Sequence, residues 1–170
     1  RDCLLSRGLG DVYKRQYLED VFEDCLLNEK ELGILFLDID HFKQLNDRYG
    51  HGRGDEGICA VADTLKKCFP EDYVARYGGD EFLVVMTGRD REYAEEHARQ
   101  LCMGIRECEI PNEDSSVEPW LTISVGGVCA IPKEPNRVWD FLSAADKTLY
   151  DQKNEQKGKV RFYVGEGQYL

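Results

Sequence analysis

Positive charge is what this chain is short of. Against 33 acidic residues it carries 22 lysines and arginines, giving a formal net charge of −11. Nonspecific binding to nucleic acid or to an anionic membrane needs a basic face, so neither partner is expected. Long apolar runs are missing as well, and none approaches the ~20 residues of a membrane-spanning helix. The opening Arg1-Asp2-Cys3-Leu4-Leu5-Ser6 has neither the apolar stretch nor the small-residue cleavage site of a secretory leader. No Cys-x-x-Cys pair occurs, and the seven cysteines are odd in number, which argues against a disulfide framework and against a zinc site. Most fall within helical patterns, where a thiol serves as a small hydrophobe, and a reducing, cytoplasmic setting is expected. Walker loop, internal repeat and low-complexity tract are all absent, and no G-x-G-x-x-G follows a strand as a dinucleotide fingerprint would.

What remains suits one domain with a real core: 170 residues, 42% hydrophobic and 32% charged. Residues 1–16 show no clear period and read either as a remnant foreign to the domain or as a connecting segment. From Tyr17 a helix is expected, with Leu18, Val21, Phe22 and Cys25 on one face. Ile34-Leu35-Phe36-Leu37 reads as a central strand ending in Asp38 and Asp40. Asp40 is placed to cap a short helix from His41 to about Asp47. Gly50, Gly52 and Gly54 mark a loop, and a helix follows through Ile58, Val61, Ala62, Leu65 and Phe69 to Pro70. Strands over Tyr73–Tyr77 and Phe82–Met86 flank Gly78-Gly79-Asp80-Glu81 as a hairpin. A helix through Ala94, Ala98, Leu101 and Ile105 comes next, then a polar loop from Pro111 to Pro119. Leu121 to Val125 alternates as a strand, which Gly126 to Ile131 either extends or pairs with. A last helix (Val138 to Leu149) and an edge strand (Val160 to Val164) close the chain. Hairpins mixed with helical crossovers predict an α+β fold, a sheet with helices packed on it.

The chemistry lies where carboxylates gather at strand ends. Phe36-Leu37-Asp38-Ile39-Asp40-His41-Phe42-Lys43 and Arg76-Tyr77-Gly78-Gly79-Asp80-Glu81-Phe82 set two acidic tips side by side. Two such tips suit a hard, oxygen-ligated cation and, through it, a triphosphate. The two motifs together resemble the GGDEF family, the diguanylate cyclases, and the resemblance runs from about Tyr17 to Tyr163. It implies the palm-like fold of nucleotide cyclases, with a mixed, mostly antiparallel sheet. The implied reaction joins two GTP molecules into cyclic di-GMP with release of two pyrophosphates. One domain holds one GTP, so a homodimer is implied, normally governed by a sensor domain elsewhere in the full-length protein.

By the same resemblance, Asp38, Asp80 and the carbonyl of Ile39 hold Mg2+ (or Mn2+). Glu81 completes a second metal site or assists deprotonation of the attacking 3′-hydroxyl. Gly78 and Gly79 let the hairpin approach the substrate. Phe42 and Lys43 open a short helix whose unpaired N–H groups suit phosphate. Asn46 and Asp55 read guanine, whose N1–H and N2–H₂ a carboxylate can accept together. Lys147, in Ala144-Ala145-Asp146-Lys147-Thr148-Leu149-Tyr150, is expected to reach the triphosphate. Four residues on stands Asp151, a partner for Lys147 on one helix face, while Lys153 lies at another angle.

Asp151 stands where the family often has arginine, and two further departures from its pattern matter. The Arg-x-x-Asp of the family's product-inhibition site appears as Phe69-Pro70-Glu71-Asp72, without the guanidinium fork that grips a guanine edge or phosphate. The family's entrance segment is also unmatched over Gly10 to Gln16. Asp151 and the altered entrance make a domain that binds GTP without turning it over the alternative reading, and a purely structural dimerisation domain is the third.

Overall fold

The apolar run after Gly33 forms β1 (Leu32–Ile39) in a computed structural model of the chain, which describes residues 11–164. β1 is the middle strand of a five-stranded sheet ordered β2-β3-β1-β4-β5, with β2 spanning Tyr73–Gly78, β3 Glu81–Thr87, β4 Ile123–Ala130 and β5 Val160–Phe162. Every pairing is antiparallel except β4 with β5. The expected mixed, mostly antiparallel sheet is thus observed, with the hairpin and the closing edge strand where the sequence puts them.

Helices cover both faces, which is why β1 is apolar without alternation. Leu35, Leu37 and Ile39 face one core, shared with α2 (Phe42–Tyr49), α3 (His51–Cys68) and α4 (Arg91–Glu107). Ile34 and Phe36 face the other, shared with α1 (Asp11–Leu27) and α5 (Val138–Glu155). Cys25 and Cys102 are buried within these cores as small apolar groups.

Three local expectations change, and one open alternative is decided. The first helix begins at Asp11 rather than Tyr17, and residues 1–10 lie outside the described residues. Asp40 does not cap α2: the N-cap is His41, with φ 54° and no side-chain cap bond. Asp40 is instead fully buried, because two hydroxyls compete successfully for its oxygens. The glycine loop shrinks to Gly50, at φ 83°, and α3 starts at once with Gly52 and Gly54 inside it. Tertiary packing overrides the poor helix propensity of glycine there. Finally, Gly126 and Gly127 lie within a single continuous β4.

The reason for Gly126 is steric. A Cβ at that position would strike the backbone nitrogen of Leu149, and would stand 2.5 Å from the Ala145 carbonyl oxygen and 2.6 Å from Leu149 Cα. Helix α5 therefore rests directly on the backbone of β4. Gly126→Ala should destabilise the domain by about 3 kcal/mol or more, since backbone cannot yield as a side chain can. Gly52→Ala, where nothing lies within 4 Å, should stabilise by about 0.5–1 kcal/mol. Urea denaturation of the two variants checks both signs.

Candidate functional site

Alternation along β1 puts Asp38 on the α5 face, directly after Phe36. It stands opposite Glu81 of β3 and Ser124 of β4. The Ile39 N–H donates to the Asp80 carbonyl at 3.2 Å, which ties the hairpin to the end of β1. The hairpin turns through Gly79 at φ 37°, and the Arg76 Nε donates to the Gly79 carbonyl at 2.8 Å. Asp38, Asp80 and Glu81 are brought together in this way at one tip of the sheet.

Burial pushes the Asp38 carboxyl from 3.8 up to about 6; the charges of Asp80 and Glu81 push the same way, and Lys153 opposes them. Glu81 is also raised, by burial first and then by Asp80 and Asp146, again against Lys153. Lys153 Nζ lies 2.7 Å from Asp38 Oδ1. That oxygen is buried and has no well-angled hydrogen bond, so the contact is an ion pair. Four carboxylates thus bear on the tip, against one ammonium in contact.

Lys147 lies on α5. It is exposed, and no ion pair with Asp151 forms among the described residues, whose pairs instead include Lys153 with Asp38. Seven residues after Asp146, Lys153 returns to the same helix face two turns on. That spacing was the available signal, and a resemblance centred on residues 144–150 passes over it. Lys157, one turn further, bears on His41 at the start of α2.

Lys43 is exposed and Phe42 half-buried in the first turn of α2. His41, which had no obvious partner in the sequence, has Nε2 2.9 Å from Ser116 Oγ. Its imidazole is held below its ordinary value, mainly by burial and then by Lys157. On the far side of α2, Asn46 Oδ1 is buried without a hydrogen-bond partner. Gly54 is required beside it: a Cβ there would collide with Asn46 Oδ1 and stand 2.9 Å from its Cγ. Asp55 follows on α3, exposed. The sequence pointed to Asn46 and Asp55 but not to Gly54, whose part is visible only once the two helices pack. Phe69 lies in the core at 1% exposure, and Asp72 accepts from the Tyr93 hydroxyl at 3.3 Å.

Among the described residues, no three carboxylate, imidazole or thiol groups form a ready-made metal cage. The fit to a hard cation is of another kind. Asp38 offers a buried oxygen without a proper donor, and Asp80 adjoins it. Magnesium characteristically takes one or two carboxylates and leaves other positions to water and phosphate.

The chain matches the model of the family described as "Diguanylate cyclase, GGDEF domain" over residues 8–159, which takes in part of the segment before Tyr17. It is 32% identical over 158 residues to a probable diguanylate cyclase, DgcC, of Escherichia coli K12, covering 90% of this chain and 42% of that protein. The chain therefore spans about two-fifths of that relative's length. Among solved structures, the GGDEF domain of YfiN (TpbB) from Pseudomonas aeruginosa superposes with a TM-score of 0.79 at 25% identity, covering 97% of this chain and 100% of that one. The GGDEF domain of DgcB from Caulobacter crescentus, in complex with c-di-GMP, has a TM-score of 0.79 over 89% of this chain and 88% of its own; at 23% identity it bears on the fold alone.

The raised Asp38 carboxyl has a measurable consequence. Its folded value, about 6, exceeds the ordinary 3.8. The stability it contributes is therefore full below about pH 4 and is lost as pH rises through about 6. Without divalent metal at pH 7, ionised Asp38 should cost on the order of 3 kcal/mol. Asp38→Asn should accordingly be the more stable protein at pH 7, with the difference closing towards pH 4. Urea denaturation across that range in chelator reads this directly, and parallel pH profiles for the two proteins would refute it.

Proposed function

This chain belongs to the GGDEF family of diguanylate cyclase domains, and we propose that it condenses two GTP molecules into cyclic di-GMP and two pyrophosphates. The observation that carries the reading is the convergence of Asp38, Asp80 and Glu81 on one tip, where negative charge outweighs the single contacting ammonium. Asp38, Asp80 and the Ile39 carbonyl are the groups that would hold Mg2+ or Mn2+. When bound, the metal supplies charge neutralisation at the phosphates.

The chain's own residues do the rest. The first-turn N–H groups of α2 at Phe42 and Lys43, with the Lys43 ammonium, receive phosphate oxygens. Lys153, which reaches Asp38 and also bears on the start of α2, is the lysine we assign to the triphosphate in place of Lys147. Asn46 and Asp55 take the guanine edge, and an adenine there would leave the buried Asn46 oxygen wrongly faced. Gly78 and Gly79, both exposed, leave room at the hairpin for the nucleotide. Glu81, its carboxyl raised, is the group we place to accept the 3′-hydroxyl proton. The 3′-oxygen of one GTP attacks the α-phosphorus of the other, and the bond to the β-phosphate breaks as pyrophosphate leaves. Repeating the exchange in the opposite sense closes the ring.

Since one domain offers one such pocket, turnover requires two domains face to face. Acidic chains of net charge −11 repel one another, so substrate, metal or a sensor region has to drive that approach. A cytoplasmic setting, where GTP is available, fits this reading. Binding of GTP without turnover is the second reading. It is favoured by the Lys153–Asp38 ion pair, which a metal at Asp38 has to displace.

Chromatography of products from GTP and magnesium at high protein concentration tests the proposal. The parent should form cyclic di-GMP, and Asp80→Ala should lower turnover by about a hundredfold or more while leaving the fold intact. Metal-dependent GTP binding without product, even in a forced dimer, would leave the receptor reading standing. With Phe69 sealed in the core, the Phe69–Asp72 segment should bind no product. Turnover should therefore persist at product concentrations that silence cyclases carrying the Arg-x-x-Asp site, and titration of cyclic di-GMP onto the parent measures it.

A further inference from the structure

Asp40 is a buried carboxylate that the reaction does not use. Its Oδ2 accepts from the Thr122 hydroxyl at 2.8 Å and its Oδ1 from the Ser124 hydroxyl at 2.7 Å. Its own N–H donates to the Thr122 carbonyl at 2.9 Å. Among the described residues it forms no ion pair. Polar oxygens kept so far from water are costly unless they are hydrogen-bonded, and both hydroxyls are committed to them.

The chain of contacts continues beyond Ser124. The Ser124 Oγ accepts from the Gly158 N–H at 3.0 Å, and the Gly158 carbonyl accepts from Arg106 Nη2 at 2.8 Å. Gly158 has φ 75°, and a Cβ there would stand 2.8 Å from Val117 Cγ1. Its position is thus held on several sides. It lies just past α5, one residue after Lys157 and five after Lys153. Ser124 is also the β4 residue directly opposite Asp38. Asp40 is followed at once by His41, whose left-handed backbone turns the chain into α2.

We infer that Asp40, through Ser124 and Gly158, is a positioning residue that sets the lysine-bearing end of α5 against the carboxylate tip and the first turn of α2. The inference rests on the nucleotide reading above and adds to it a part for residues that touch no ligand. Three pieces of the triphosphate cradle meet in this one buried network: the β1 end with Asp38, the α2 start with Phe42 and Lys43, and the α5 end with Lys153 and Lys157. The base pocket at Asn46 and Gly54 lies outside it. Cutting the relay should therefore loosen phosphate and spare guanine.

Ser124→Ala cuts it where it leaves Asp40. Calorimetric titration with magnesium and the α,β-methylene analogue of GTP should show affinity falling about tenfold, the loss expected when one buried partner is removed. GMP, followed by NMR, should bind as it does to the parent. Thr122→Ser, which keeps its hydroxyl, should change neither. A merely structural role would weaken both ligands together or neither, and either result overturns the relay. A parent that bound neither nucleotide would overturn the nucleotide reading, and the relay with it. If Ser124→Ala does not fold, Asp40→Asn, with the same size and one acceptor oxygen kept, carries the same comparison.

Discussion

The tip of the sheet is organised by the cost of keeping the Asp38 carboxylate out of water. β1 is buried on both faces, and Asp38 near its end is still only partly open to solvent. Asp38 continues the α5-facing row of Ile34 and Phe36, and its Oδ1 pairs with the Lys153 ammonium. Burial and the neighbouring carboxylates together raise its proton affinity. A site of this kind discriminates by charge: it gains most from a small dication, which offsets several carboxylates at once. An ammonium offsets one, and at neutral pH the tip remains short of positive charge.

Two residues along, Asp40 meets the opposite environment. It is buried more completely than Asp38, yet both of its oxygens have hydroxyl donors. The two aspartates divide the needs of a site on a strand end. One is left wanting a cation, and the other is satisfied and holds the surroundings still. On the cyclase reading, a metal would be captured at Asp38 only if the neighbouring elements did not collapse onto it, and Asp40 would supply that resistance through neutral donors that do not compete for the metal.

The elements legible in the sequence are those whose signal is local. The run Ile34–Leu37 announces a strand buried on both sides, and Gly78-Gly79 announces a tight turn between apolar runs. What was not legible depends on contacts distant in sequence. Asp40 looks like a helix cap until Thr122 and Ser124, more than eighty residues on, are seen to claim its oxygens. Gly52 and Gly54 read as loop residues because propensity disfavours them in a helix, yet the Asn46 amide leaves no space for a larger residue at Gly54. Lys147 and Lys153 share one helix, and only the direction from which α5 crosses β4 at Gly126 decides which of them looks at Asp38.

On the cyclase reading, recognition and chemistry are divided along one short helix. Residues at the start of α2 belong with the phosphate cradle, and Asn46, about one turn or 6 Å further along the axis, belongs with the base. The start is pinned through His41 and Asp40 to β4, and the Asn46 side is pinned by the close approach of α3 at Gly54. A helix held at both ends has little freedom to slide, so it fixes the distance between base and phosphates before substrate arrives. Orientation set in advance is what phosphoryl transfer draws on most, because the protein contributes position and charge rather than covalent chemistry. On that reading the buried hydroxyl–carboxylate network and the glycine beneath Asn46 serve the reaction by holding position, and neither touches a ligand.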